Sequence, residues 1–89
     1  MEEPLTTPII TVYGADWCPD CRRSKHLLDK YSIPYLWVDT DTNQEAETLV
    51  RQLNNGKRII PTIVFQDHSF LAEPSDSELA QKLGIAVGA

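Results

Sequence analysis

The alternation of strand and helix patterns along the chain constrains its fold more than any other feature. A short β-branched run at 9–14 ends in glycine, which is typical of a strand. A helical pattern follows it and opens with Pro19. Proline is tolerated in the first helical turn, so Pro19 fits a helix start. A second apolar run at 34–40 leads into the clearest helical periodicity, at 43–56. Two strand-like runs around a turn at 67–68 precede a last helical pattern. The predicted order is therefore β-α-β-α-β-β-α.

This order predicts an α/β fold with a four-stranded mixed sheet flanked by three helices. Strands joined through a helix run parallel, and the closing hairpin adds an antiparallel edge. A chain of 89 residues suits one domain, which we place at 9–89. Residues 1–8 contain two prolines and no periodicity, so we expect a flexible N-terminal arm there.

Helix caps are predicted from side-chain spacing. Thr42 and Glu45 have the spacing of a capping box at the start of the second helix, and Ser75 and Glu78 have it at the start of the third. The Asn-Asn-Gly stretch at 54–56 is typical of a helix end.

Charge and composition exclude several classes of partner. A net charge of −5 and a pI near 4.8 disfavour nucleic acid and anionic membranes as partners. The opening MEEPLTTP lacks the basic and apolar regions of a signal peptide, and no apolar run approaches the roughly 20 residues of a membrane span. We therefore expect a cytoplasmic monomer, in which paired cysteines indicate redox or metal chemistry.

Both cysteines of the chain lie in the stretch WCPDC, as Cys18 and Cys21. Cys18 falls at a predicted helix N-terminus, where free N–H groups and the helix dipole favour an anion and lower the pKa of a thiol. We therefore predict that Cys18 is the nucleophile and that Cys21, one turn inside the helix, resolves the mixed disulfide. Arg22 and Lys25 follow the cysteines at i+4 spacing and could face the sulfurs.

Three other roles for the cysteines compete with redox chemistry. A structural disulfide closing so short a loop stabilises by only about 2 kcal/mol and would not persist in a reducing cytosol. Zinc needs four ligands, and His26 and His68 lack the spacing of a zinc finger. Inert buried thiols are the third alternative. Redox chemistry is favoured over all three, and no metal is expected.

The stretch IIPT places Pro61 just before a predicted strand. A cis Ile60–Pro61 bond would turn the backbone of Ile60 towards the cysteines as a free strand edge, where an extended substrate could pair. The alternative is an ordinary trans proline at the start of an edge strand.

Taken together, the stretches WCPDC, NGKRIIPT and the capped last helix resemble the glutaredoxin branch of the thioredoxin superfamily. The resemblance covers about Ile9 to Leu83 and implies a thioredoxin (glutaredoxin-like) fold. It also implies a thiol–disulfide oxidoreductase without a tightly bound cofactor, in which Cys18 attacks, Cys21 resolves and Pro61 is cis.

The same resemblance bears on the substrate. Typical glutaredoxins hold the γ-glutamyl carboxylate of glutathione with a Gly-Gly-x-Asp stretch, which here reads Glu73-Pro74-Ser75-Asp76. Ser75 and Asp76 keep helix-start N–H groups that favour an anion, whereas Glu73 repels one. The pattern NGKRIIPT…PSDSEL is more similar to mycoredoxins, which reduce mixed disulfides with mycothiol.

The implied low-molecular-weight thiol is therefore mycothiol or glutathione, and the implied protein partners carry disulfides or thiol adducts. Recycling would use that thiol or a flavoprotein reductase. Two alternatives stay open: an NrdH-type electron donor to ribonucleotide reductase that is reduced by thioredoxin reductase, and a glutaredoxin that binds a [2Fe–2S] cluster. The predicted substrate-binding residues are Trp17, Pro19, Arg58, Ile60, Pro61, Ser75 and Asp76.

Overall fold

The computed structural model describes residues 10–85, so the predicted arm at 1–8 lies outside the described residues. Its elements follow the predicted order β-α-β-α-β-β-α. They are β1 (Thr11–Gly14), α1 (Pro19–Lys30), β2 (Leu36–Asp39), α2 (Gln44–Leu53), β3 (Thr62–Val64), β4 (Phe70–Ala72) and α3 (Asp76–Leu83).

The four strands form one mixed sheet in the order β2-β1-β3-β4. β1 pairs with β2 in parallel and with β3 in antiparallel orientation, and β3 pairs with β4 in antiparallel orientation. The predicted fold class is thereby confirmed. Of the two central strands, β1 ends at the loop that leads to Cys18, and β3 begins directly after Pro61.

One face of the sheet carries the main core. Val12 lies opposite Ile63 across β1 and β3, and both are fully buried. They pack with Leu27 and Leu28 of α1 and Leu79 of α3. This apolar layer fixes α1, and with it the cysteines at its N-terminus, against the centre of the sheet.

The opposite face packs against α2. Side chains alternate between the faces of a strand, so Tyr13 and Thr62 point away from the main core. Tyr13 lines a cavity of about 240 Å³ with Ala46 of α2, and Thr62 accepts a hydrogen bond from Asn54 at the end of α2 at 3.1 Å. The sheet is therefore covered on both faces.

The predicted cap of α2 is wrong by one residue. The N-cap is Asn43, whose side chain accepts a hydrogen bond from the Ala46 N–H at 3.0 Å. Asparagine is as good an N-cap as serine or threonine, so the Thr42 spacing could not exclude the next position. The α3 capping box is confirmed, with both of its hydrogen bonds present between Ser75 and Glu78.

The turn between β3 and β4 forms as predicted, although it has no glycine. His68 adopts a left-handed backbone with φ of 71°. The Asp67 carboxylate accepts hydrogen bonds from the Ser69 N–H at 3.0 Å and from its hydroxyl at 2.6 Å. These hydrogen bonds lower the pKa of Asp67 and stabilise the turn in place of glycine.

Candidate active site

Cys18 occupies the N-cap of α1, as predicted. A turn leads out of β1 and is closed by the Cys18 N–H, which donates to the carbonyl of Ala15 at 3.2 Å. The Cys18 sulfur accepts a hydrogen bond from the Cys21 N–H at 3.2 Å, and Pro19 fills the first helical position. Both cysteines are free thiols. A backbone donor at a helix start, the Cys21 N–H, is therefore aimed at this sulfur.

Cys21 lies fully buried beneath Cys18. It packs so closely on the end of β1 that a Cβ on Gly14 would lie 2.5 Å from its sulfur, and 2.9 Å from the ring of Trp37. Burial, followed by the hydrogen bond with Cys18, raises the pKa of Cys21 to about 12. At neutral pH Cys21 is therefore a protonated thiol.

The two cations at i+4 spacing do not meet the sulfurs. Lys25 places its Nζ 3.8 Å from the ring centroid of Trp37, a cation–π contact. Arg22 is exposed, and neither side chain donates a hydrogen bond to a sulfur among the described residues. Trp37 packs against the cluster that contains the two cysteines, so the ammonium group of Lys25 contacts this ring and not a sulfur.

The loop before β3 faces Cys18. The Ile60–Pro61 bond is cis, as the resemblance implied. The Cys18 thiol points at the carbonyl of Ile60, 4.0 Å away. The β1–β3 ladder ends at the pair Tyr13–Thr62, so the backbone of Ile60 lies beyond the paired part of the strand, next to the thiol.

A buried polar cluster that the sequence did not reveal holds this loop. The Asn54 side chain donates to the carbonyl of Val50 at 2.8 Å and to the hydroxyl of Thr62 at 3.1 Å. That hydroxyl donates to the carbonyl of Ile59 at 2.6 Å. The end of α2 therefore fixes the position of the loop relative to Cys18.

Trp17 and Arg58 meet at one residue, Asp41, which was not singled out from the sequence. The indole N–H of Trp17 donates to one carboxylate oxygen at 2.7 Å, and Arg58 Nη2 donates to the other. Trp17 is 60% exposed, while the Arg58 side chain is 24% exposed. The structure thus brings together two predicted substrate-binding residues through a third side chain.

Ser75 and Asp76 lie at the start of α3, on the other side of the Pro61 loop. The Ser75 N–H already donates to the Glu78 carboxylate at 2.9 Å, and Asp76 pairs with Arg23 at 3.5 Å. The preceding residue, Glu73, donates its N–H to the carbonyl of Pro61 at 2.7 Å. This helix start is near the loop, but part of its hydrogen-bonding capacity is used internally.

Arg23 links the two helix starts, another contact not foreseen from the sequence. It pairs with Asp20 in the first turn of α1 at 2.9 Å and donates to the carbonyl of Pro74 at 3.4 Å. The charge of Asp20 is therefore compensated by Arg23.

Within residues 10–85, no group of three or more His, Cys, Asp or Glu side chains is placed to hold a metal ion. No helix in the same range is long and apolar enough to cross a membrane.

Comparisons with known proteins agree with this geometry. The Glutaredoxin family model matches residues 10–70. A Mycobacterium tuberculosis (strain H37Rv) protein that carries a glutaredoxin name is 38% identical over 79 residues, covering 89% of this chain and 94% of the relative. Mycoredoxin 1 of Corynebacterium glutamicum is 35% identical over 74 residues, covering 83% of this chain and 91% of the relative.

A solved structure shows the same fold. The glutaredoxin of Methanosarcina mazei superposes with a TM-score of 0.75 at 24% identity, over 88% of this chain and 80% of that chain. The family match and the relatives identify the chemistry. The chain belongs to the glutaredoxin family of thiol–disulfide oxidoreductases.

Proposed function

We propose that this glutaredoxin reduces mixed disulfides between proteins and a low-molecular-weight thiol, with Cys18 as nucleophile and Cys21 as resolving thiol. The observation that carries the proposal is the N-cap geometry, in which the Cys18 sulfur accepts the Cys21 N–H at 3.2 Å. The thiolate is the nucleophilic form of cysteine, and backbone donors favour it. Cys21, fully buried, is shielded from direct attack on a substrate.

The reaction is a two-electron exchange. The Cys18 thiolate attacks the substrate disulfide, forms a mixed disulfide and releases one substrate sulfur as a thiolate, which takes up a proton. Cys21 then loses its proton and attacks the Cys18 sulfur, which releases the second substrate sulfur and leaves a Cys18–Cys21 disulfide. Two molecules of a low-molecular-weight thiol reduce that disulfide and become oxidised in turn.

The substrate groove in this proposal runs over Cys18 between two loops. On one side are Trp17 and Pro19, the chain neighbours of Cys18, and both are exposed. Ile60 and Pro61 flank it on the other, where the carbonyl of Ile60 lies 4.0 Å from the sulfur. Free backbone beyond the end of a ladder suits pairing with an extended substrate segment.

Mycothiol is our proposed co-substrate in preference to glutathione. The similarity of this chain to Mycoredoxin 1 supports this choice of thiol. Glu73 is exposed beside the start of α3, and the Ser75 N–H is already bonded to Glu78. Both features weaken a site for the γ-glutamyl carboxylate of glutathione.

The test compares wild-type protein with Cys18→Ser and Cys21→Ser on a protein mixed disulfide, with electrons supplied by mycothiol or by glutathione. We expect Cys18→Ser to be inactive and Cys21→Ser to keep part of the activity, since a free thiol can complete the second step. We expect faster turnover with mycothiol. An active Cys18→Ser beside an inactive Cys21→Ser would reverse the assigned roles, and equal turnover with both thiols would refute only the co-substrate.

A further inference from the structure

A single carboxylate joins the two loops that flank Cys18. Asp41 accepts the indole N–H of Trp17 at 2.7 Å through one oxygen and the Nη2 of Arg58 through the other. Trp17 directly precedes Cys18, and Arg58 lies two residues before Ile60, whose carbonyl faces the sulfur. Asp41 therefore sits where a change in its charge or size would reach both sides of the groove.

The segment that carries Asp41 is firmly attached to the sheet. Its own N–H donates to the Asp39 carboxylate at 2.8 Å. The neighbouring Thr40 is buried, and its N–H and hydroxyl donate to the carbonyl of Gly14 at 2.8 and 3.2 Å. Arg58 Nη2 also donates to the Thr40 hydroxyl at 3.0 Å. The carboxylate thus projects from a fixed point just after β2, which hydrogen bonds of Thr40 tie to the end of β1.

The indole of Trp17 depends on this carboxylate for its position. A tryptophan that is 60% exposed buries little apolar surface of its own, so a hydrogen bond from its N–H has a large share in fixing the ring. The hydrogen bond to Asp41 is the polar contact of this indole among the described residues. With it, the ring of the residue that directly precedes Cys18 is held in place.

The charge of Arg58 is compensated by the same carboxylate. Arg58 forms an ion pair with Asp41, and its Nε lies 3.9 Å from the Glu47 carboxylate. Two carboxylates thus surround one guanidinium, so the groove does not present a free cation to a substrate. Removing the Asp41 charge would expose the field of Arg58 to a bound molecule.

We propose that Asp41 is a positioning residue that sets the charge preference of the site. It holds Trp17 as a wall of the groove and offsets Arg58, so that disulfides of neutral thiols are favoured over those of thiols carrying carboxylates. This preference deepens the proposed function and rests on it.

The experiment measures single turnovers of reduced protein, freed of reductant, with three small symmetric disulfides. These are 3,3′-dithiodipropionate (anionic), bis(2-hydroxyethyl) disulfide (neutral) and cystamine (cationic). In each turnover the protein dithiol gives two electrons and two protons to one disulfide, which yields two small thiols and a Cys18–Cys21 disulfide. Mass spectrometry of acid-quenched samples gives the rate, without any recycling system.

We expect Asp41→Asn to raise the anionic-to-neutral rate ratio roughly threefold to tenfold and to lower the cationic-to-neutral ratio, with smaller changes at about 0.5 M salt. Asparagine at position 41 can still accept the hydrogen bond of the indole N–H. The rate of Asp41→Asn with the neutral disulfide should therefore stay closer to the wild-type rate than the rate of Asp41→Ala does. Adding Arg58→Gln to Asp41→Asn should return the ratios to the wild-type values. The control is Glu45→Gln, which removes one negative charge just as Asp41→Asn does. Glu45 is exposed on α2 and forms no ion pair among the described residues.

Ratios that move no more in Asp41→Asn than in Glu45→Gln would overturn the proposal. So would a change in Asp41→Asn that survives the added Arg58→Gln, because the effect would then not run through the arginine. A wild-type protein that leaves all three disulfides intact would overturn the proposed function itself, a result distinct from active protein with unchanged ratios. Circular dichroism of each variant verifies that it is folded.

Discussion

Replacing Gly14 with alanine tests how tightly the buried thiol of Cys21 is enclosed. Gly14 is the last residue of β1, paired with Asp39 in the parallel ladder. A Cβ at this position would lie 2.5 Å from the sulfur of Cys21, and 2.9 and 3.1 Å from two ring carbons of Trp37. Ordinary contacts between heavy atoms are about 3.5–4.0 Å, so the added methyl group overlaps both neighbours.

Two opposing effects set the magnitude. Replacing glycine with alanine in a compatible backbone stabilises a protein by about 0.4–1 kcal/mol, because the unfolded chain loses freedom. Overpacking a buried site costs about 1–3 kcal/mol. The overlap involves a fully buried thiol and a rigid indole, so we expect overpacking to win by about 1–2 kcal/mol. For a domain of this size, that lowers Tm by roughly 5–15 °C.

The assay is thermal unfolding of reduced Gly14→Ala by circular dichroism, together with the alkylation rate of Cys21. Gly56→Ala is the matched control, since Gly56 has φ of +88° and nothing within 4 Å of its added Cβ. It should lose stability through backbone strain alone and leave Cys21 alkylation unchanged, whereas Gly14→Ala should change both. The loss of stability caused by Gly14→Ala should be smaller when it is measured against a Trp37→Val background, because that background lacks the overlap with the indole. A Gly14→Ala protein at least as stable as wild type would refute the overpacking argument.

Two further predictions concern the buried groups of the site. Because burial raises the pKa of Cys21 to about 12, its alkylation rate should keep rising about tenfold per pH unit beyond pH 9; a rate that levels off near pH 9 would contradict this. By the same shift, the stability gained from burying the neutral thiol is present below about pH 9 and is lost as pH rises towards 12. Asn54→Ala should cost about 1–3 kcal/mol in urea unfolding, since it removes donors to Val50 and Thr62. The exposed Gln52→Ala on the same helix should stay within about 0.5 kcal/mol of wild type, and an equal loss in both variants would remove any special role for Asn54.

The order of elements could be predicted because each element has its signal within a few residues of itself. Cys18 at the N-cap and Pro19 at the first helical position needed only the strand-to-helix junction. The α3 capping box needed only Ser75 and Glu78. The α2 cap was misplaced because two good capping residues stand side by side, and local spacing does not choose between Thr42 and Asn43.

Contacts between segments that are distant in sequence could not be predicted from such local signals. Helical spacing placed Lys25 on the side of α1 that carries Cys21, but spacing does not say which neighbour covers that side. The neighbour is Trp37 of β2, which packs on the thiols and takes the ammonium group over its ring. The space for its indole exists because Gly14, on the adjacent strand, has no side chain.

This difference separates the chemistry of the site from its selectivity. In the proposed mechanism the reactive pair lies within one turn of one helix, so changes at Cys18 or Cys21 should act on the chemical step. The groove wall is built across segments far apart in sequence, with Asp41 reaching 24 residues back to Trp17 and 17 residues forward to Arg58. Substitution at Asp41 should therefore change which disulfide reacts fastest without removing the ability to react.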